Sequence, residues 1–157
     1  MKKRFICIMV FLLLFSYNSI GAYEHHEEID DIEYLLNERI VIMNGFLYGV
    51  KDMESLKYNL SKIETEKLLE NDVDILSKII DNPTDYELAM SVKIEGIHSL
   101  ERKEESVFIN ADLNWQMSGY DGEFNLVRNY NIKCVEINDR MYLAKLVILN
   151  DRQNIGD

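Results

Sequence analysis

The sequence predicts an α+β fold, in which three N-terminal helices pack on one face of a curved four-stranded antiparallel sheet. Apolar residues recur every three or four positions up to about residue 80 and every second position from Tyr86 onward. The first spacing follows one face of a helix and the second follows one face of a strand. The single proline, Pro83, lies between the two regions. Helices followed by strands are typical of the α+β class.

The helices are predicted from apolar residues that share one face. The first helix begins in an acidic lead, residues 24–31, whose carboxylates suit the positive end of the helix dipole. Asn44-Gly45 is a point at which this helix bends or ends. A second helix is predicted over 53–63 and a third over 66–80, followed by a turn over 81–85. The apolar face of the first helix consists of Ile29, Ile32, Leu36, Ile40, Met43, Leu47 and Val50.

The strands are predicted from alternating apolar and polar residues, which give one buried and one wet face. The fourth run is apolar on both sides apart from Lys145, so we expect it to be covered on both faces. Residues 99–105, 119–122 and 138–139 are the expected connections. We expect His98 to be exposed in a turn. The four runs are 88–94, 107–117, 124–134 and 141–149.

Three segments resemble the NTF2-like (cystatin-like cone) superfamily. Residues 45–56, GFLYGVKDMESL, resemble its first helix and the junction that follows, with Lys51 where a glycine is usual. Residues 111–115, ADLNW, resemble a strand that ends in an aromatic residue. Residues 130–148 resemble the closing hairpin of the family.

The resemblance covers about residues 30–150 and implies a sheet curled around a cone, with any pocket between its concave face and the helices. Members of the superfamily are enzymes, ligand binders, or non-catalytic domains of exported and secretion-system proteins, so the fold does not select a function. A proton-transfer enzyme of this kind needs an inward carboxylate as general base. The acids of the predicted strands fall on the opposite face, so we assign no catalytic residue and favour a non-catalytic role.

The candidate ligand pocket is formed by Trp115, Arg128, Tyr130 and Tyr142, of which Tyr142 takes the aromatic position of the closing hairpin. An arginine among aromatic rings suits an anionic ligand at a pocket mouth. The alternative is that Arg128 extends its head into water from a strand end. The opposite face can bind a partner or a glycan through amide hydrogen bonds, or it is simply solvated. Its amide residues are Asn110, Asn114, Asn125, Asn129 and Asn131.

The N-terminus has the layout of an export signal. Three basic residues at 2–4 precede a 13-residue apolar block over 5–17 and a small-residue exit that ends at Ala22. Because a membrane-spanning helix needs roughly 17–25 apolar residues, we predict a signal peptide over 1–22 and a single exported domain over 23–157. The protein is then secreted, periplasmic or on the cell surface. The alternative is an uncleaved anchor, which would tether the domain to a membrane.

The charge and the sparse metal ligands restrict the partners. The formal net charge is −11, and it becomes −14 when the three basic residues of the signal are removed. Such a body repels phosphate backbones, which disfavours nucleic acid. Cys134 is the one cysteine after the signal, and we expect it to be a buried strand residue. Cleavage after Ala22 would place His25 third from a free amine, a weak site for Cu(II) or Ni(II); no cofactor is predicted.

Three functions follow as hypotheses. The first is an exported, non-catalytic binding domain whose partner is a protein or a small ligand. The second is a ligand-binding or enzymatic cone with its pocket near Trp115, Arg128 and Tyr130. The third is a membrane-tethered scaffold component of a bacterial secretion or conjugation-type assembly, which requires retention of the N-terminal segment.

Overall fold

The computed structural model describes residues 27–81 and 87–150. The predicted signal over 1–22, His25 and most of the predicted turn over 81–85 lie outside the described residues. By compactness the chain divides into Met1–Asp31, of which the described part, 27–31, is helical, and Ile32–Asp157. The helices are α1 (27–48), α2 (Met53–Leu60) and α3 (Glu66–Asp81). The strands are β1 (Leu88–Lys103), β2 (Ser106–Gly119), β3 (Gly122–Ile137) and β4 (Arg140–Asn150).

The strands pair in chain order as an antiparallel sheet, β1-β2-β3-β4. The β1 strand runs nine residues beyond its predicted end at Ile94, because it pairs with β2 as far as Lys103 opposite Ser106. Residues 99–103 are therefore strand rather than connection, and His98 lies within β1, where it is exposed as expected. The predicted turn at 138–139 is confirmed, since both residues have positive φ values of 54° and 58°, as a two-residue hairpin turn requires.

One face of the sheet is the predicted apolar face. In β2 every second residue is buried, from Val107 to Trp115, and the same alternation continues in β3 at Tyr130, Ile132 and Cys134. These side chains share one hydrophobic core with helical residues such as Leu36. We refer to this face as the inner face and to the opposite one as the outer face.

The two edges of the sheet are contacted by the helical region in different ways. Along β1, the side chain of Asn37 donates to Val92 O over 2.9 Å and accepts from Val92 N over 3.0 Å. The Asn37 side chain thereby makes the two hydrogen bonds to the Val92 backbone that a neighbouring strand would otherwise make. Along β4, Leu143 N donates to Ile63 O over 2.8 Å, and Thr65 N donates to Leu143 O over the same distance. The link between α2 and α3 therefore adds one parallel bridge to this edge.

The predicted arrangement, three helices packed across a curved sheet as in an NTF2-like cone, is wrong. The α+β class and the order of helices before strands hold. However, β1 and β3 have 16 residues each, roughly 50 Å at about 3.3 Å per residue. The eight-residue α2 and the 16-residue α3 span only about 12 Å and 24 Å at 1.5 Å per residue. These two helices are too short to form a layer over such strands. Among the described residues, the hydrogen bonds from Asn37, Asn44 and the α2–α3 link join the helical region to the sheet at its β1 and β4 edges.

The prediction that the fourth strand is covered on both faces is also wrong. Val147, Ile148 and Leu149 are exposed by 37%, 45% and 44%. Among the described residues, the α2–α3 link reaches β4 only at Leu143. The apolar run therefore belongs to an edge strand that extends beyond the α2–α3 link and ends in exposed apolar residues.

Candidate functional site

The predicted pocket residues are only partly brought together. Trp115 and Tyr130 meet on the inner face, with ring centroids 5.7 Å apart and planes tilted by 48°. Both are buried, at 8% and 7% exposure, so most of their surface is committed to the core. The indole Nε1 of Trp115 is buried and has no hydrogen-bond partner among the described residues. These two rings serve packing rather than the wall of an open pocket.

Arg128 and Tyr142 lie on different faces. Arg128 sits opposite Leu113 and has the same phase as Tyr130, so it points to the inner face and is half-buried. Tyr142 directly precedes the buried Leu143 and therefore points to the outer face. There the guanidinium carbon of Arg140 lies 5.4 Å from the centroid of its ring. The four predicted residues therefore do not form one site.

The outer face carries a continuous ladder of amide and carboxylate side chains. Asn110 Nδ2 donates to Asn131 Oδ1 over 2.9 Å and to Asn129 Oδ1 over 3.1 Å. Asn129 in turn donates to Asp112 over 2.9 Å, and Asp112 lies 3.0 Å from His98 Nε2. The side chains hold one another in place, so this face is preorganised rather than loosely solvated.

An open groove of about 550 Å³ lies at one end of this ladder. Its floor is set by the register of the strands, which aligns two rows of side chains across the sheet. The first row is Glu101, Phe108, Lys133 and Lys145, one residue from each strand. The second row is Ser99, Asn110, Asn131 and Val147. All of these residues except Val147 line the groove.

The first row divides into an acidic and a basic end. Glu101 on β1 pairs with Lys103 over 2.9 Å at the surface. Lys133 and Lys145 lie directly opposite each other on β3 and β4, and no acid stands between them in the row. The ammonium groups of Lys103 and Lys133 lie 5.8 Å and 5.3 Å from the centre of the Phe108 ring. A chain of strongly negative charge thus presents a local cationic spot beside an aromatic ring.

A second polar cluster is buried in the helical region, away from this groove. Arg39 Nε lies 3.0 Å from Glu64 Oε1 and 2.6 Å from Asp72 Oδ2, and both carboxylate side chains are fully buried. Burial, together with the negative charge of Asp72, raises the pKa of Glu64 from 4.5 to about 8, and Arg39 offsets only part of this. The cluster therefore holds one cation and two acids, of which Glu64 is neutral at pH 7.

Cys134 is free and buried, and burial raises the pKa of its thiol to about 12, so the prediction of a buried strand residue is confirmed. Within residues 27–81 and 87–150, no group of histidine, cysteine or acidic side chains is arranged to hold a metal ion. None of the helices described there combines the length and apolar character needed to cross a membrane.

The groove was not predicted from the sequence because its residues belong to four separate strands. Phe108 and Lys133 both fall on the predicted polar phase, and Lys145 interrupts an apolar run. These are the signals that point to the outer face. Only the register places the three side chains in one row, and register is not readable from alternation alone.

No known family profile matches the chain, and no curated protein matches it. Among solved structures, the intermembrane space region of the chloroplast protein ARC6 has a TM-score of 0.46 at 8% identity and covers 77% of this chain and 95% of its own. A protein of unknown function from Bacteroides thetaiotaomicron has a TM-score of 0.44 at 15% identity and covers 85% of this chain and 98% of its own. A designed β-sheet protein reaches 0.38 at 9% identity, covering 82% and 95%. Similarities at this level support no argument about function, and the resemblance to the NTF2-like superfamily stays a prediction.

Proposed function

We propose that this protein is a non-catalytic binding domain that acts outside the cytoplasm and holds its ligand in the groove of the outer face. The observation that carries the proposal is the first cross-strand row, in which an aromatic ring and two opposed lysines line an open groove. An exposed ring, amides and ammonium groups are recognition groups. The amides of the groove, Asn110 and Asn131, do not act as general acids or bases, and Asn110 donates a hydrogen bond to Asn131.

The groove is favoured over the predicted pocket because its side chains are accessible. Phe108 is exposed by 37%, whereas Trp115 and Tyr130 are buried against each other. A ligand beside those two rings would have to displace core side chains, and this costs packing free energy. A ligand in the groove meets side chains that are already arranged and open to solvent.

The extracytoplasmic part of the proposal rests on the basic, apolar and small-residue segments at 2–22. Fractionation of the native host and N-terminal sequencing of the mature protein test it. We expect a soluble protein that begins at Tyr23. A chain that retains residues 5–22 in the membrane fraction would favour the tethered alternative.

The opposed lysines are expected to lower the stability of the free domain. Like charges directly opposite in an antiparallel pair repel each other, and Lys133 faces Lys145 in this way. Lys145→Glu creates an attractive cross-strand pair, so we expect it to raise the free energy of unfolding by about 0.2–1 kcal/mol. Urea denaturation measures the difference. Lys93→Glu is the matched control, since Lys93 is exposed on β1 and lies opposite Asn114 rather than a lysine, and an equal gain there would mean that net charge, not the pair, is responsible.

The binding role predicts that ligand binding weakens when the exposed ring of Phe108 is removed. Phe108→Ala is expected to reduce binding to a printed array of neutral and acidic oligosaccharides by at least about tenfold, because aromatic contact area dominates such recognition sites. Tyr120→Ala is the matched control, since Tyr120 is 99% exposed and lies in the turn between β2 and β3, away from the groove. Circular dichroism verifies that both variants are folded. Binding that is as strong after Phe108→Ala as in the wild type would contradict the proposal.

A further inference from the structure

The charges of the groove point to a ligand with a negative group at one end. The ammonium groups of Lys133 and Lys145 project from directly opposed positions on the same face. A carboxylate or sulfate between them would accept charge-assisted hydrogen bonds from both, which are stronger than neutral ones. It would also offset the repulsion of the pair. The chain as a whole is strongly acidic, with a formal net charge of −11. Because most of such a surface repels an anion, we expect an anion to bind at this cationic spot.

The other end of the groove offers partners for hydroxyl groups. Ser99 and Glu101 on β1 line it and are exposed, and their oxygens accept hydrogen bonds while the Ser99 hydroxyl also donates one. The ring of Phe108 lies between these residues and the lysines along the row. A sugar ring has an apolar face to lay on the aromatic ring and hydroxyls at its rim. The order of groups therefore matches a sugar that carries an acid.

Two other polyanions fit the groove less well. A nucleic acid spreads one charge per phosphate along its whole length, and the acidic body of this protein repels all but a short segment of it. An acidic peptide that adds to a sheet binds through its main chain to a free strand edge. The groove instead lies on the face of the sheet, over strands whose backbone groups pair with each other.

We infer that the ligand of this groove is an acidic oligosaccharide, with its carboxylate or sulfate between Lys133 and Lys145 and a sugar ring on Phe108. The inference rests on the proposed function and deepens it by naming the class of ligand. No covalent step is involved.

Isothermal titration calorimetry with the mature chain tests the inference. The probes are hexagalacturonate and a hyaluronan hexasaccharide, each compared with its fully methyl-esterified form. The esters keep every sugar ring and hydroxyl but remove the charge. We expect at least one acid to bind about tenfold or more tightly than its ester. Its affinity should also fall as the salt concentration rises from about 50 mM to about 300 mM.

Variants of the lysines locate the anion. Lys133→Gln and Lys145→Gln are each expected to weaken binding of the acid about fivefold to tenfold and to leave binding of the ester unchanged. Lys67→Gln removes the same charge outside the groove and is expected to leave both unchanged. The inference is overturned if neither acid binds, or if the lysine variants bind the acid as the wild type does. If the esters bind as tightly as the acids and Phe108→Ala abolishes both, the ligand class is wrong but the proposed function stands. If Phe108→Ala changes the binding of neither the acid nor the ester, both the ligand class and the proposed function are wrong.

Discussion

Replacing Arg39 with methionine is expected to destabilise the folded protein by about 3–5 kcal/mol, the usual consequence of removing one partner of a buried ion pair. Arg39 is the cation that lies within 3.0 Å of both Glu64 and Asp72. Without it, Asp72 remains as a fully buried carboxylate and Glu64 loses its hydrogen-bond donor. Urea denaturation at pH 7 measures the loss.

Two further variants distinguish the free-energy cost of leaving a buried carboxylate unpaired from the cost of losing the packing of the arginine side chain. Lys78→Met removes an exposed ion pair with Asp74 at 2.5 Å and is expected to cost less than about 1 kcal/mol. The triple variant Arg39→Met/Glu64→Met/Asp72→Leu removes the whole cluster and should recover most of the stability, since apolar replacements of buried ion clusters are often neutral or stabilising. If the triple variant is as unstable as Arg39→Met alone, the packing of the arginine stem, rather than the orphaned charge, determines the cost.

The sequence predicts the elements of this protein well because each element leaves a local periodic signal. The third helix is confirmed almost to its ends, at Glu66–Asp81 against a predicted 66–80. Burial of Val107 to Trp115 at every second position is confirmed as well. The predicted length of a strand is wrong where polar residues continue it, as at the end of β1. There the pairing with the neighbouring strand outweighs the preference of those residues for connections.

The sites were not predictable in the same way, because they depend on distances between segments far apart in the chain. Arg39 contacts Glu64 and Asp72 over 25 and 33 residues of sequence, and each of the three taken alone is an ordinary polar helix or link residue. Phe108, Lys133 and Lys145 become neighbours only through the register of three strands. Trp115 and Tyr130 were correctly placed on one face, but alternation does not tell whether the space beside a ring is filled.

The stability of the protein is expected to fall as the pH rises from about 4.5 to about 8, through Glu64. Burial first, and the charge of Asp72 second, raise the pKa of this carboxyl from 4.5 to about 8 in the folded protein. Between these values the folded chain keeps a proton that the unfolded chain has lost. The contribution of Glu64 is therefore fully present below pH 4.5. It declines by up to about 1.4 kcal/mol per pH unit and is lost above about pH 8.

The structure gives an independent reason to expect a neutral Glu64. Its Oε2 is buried and has no hydrogen-bond partner among the described residues. A charged oxygen in that position would be costly, whereas a protonated carboxyl bears no net charge. One arginine cannot fully compensate two buried carboxylates, and Asp72 is the nearer of the two, at 2.6 Å against 3.0 Å. The proton therefore belongs on Glu64.

Glu64→Gln isolates this effect from the other carboxylates, because glutamine resembles the protonated acid and still offers an oxygen to Arg39. We expect the variant to match the wild type near pH 5 and to be more stable by a few kcal/mol at pH 8.5, an order of magnitude set by the shift in pKa. Urea denaturation of both proteins between these pH values measures the difference. Glu104→Gln in the exposed β1–β2 turn is the control and should stay within about 0.5 kcal/mol of the wild type throughout. A constant difference between Glu64→Gln and the wild type across the range would mean that Glu64 is ionised in the folded protein, and that Arg39 compensates both acids.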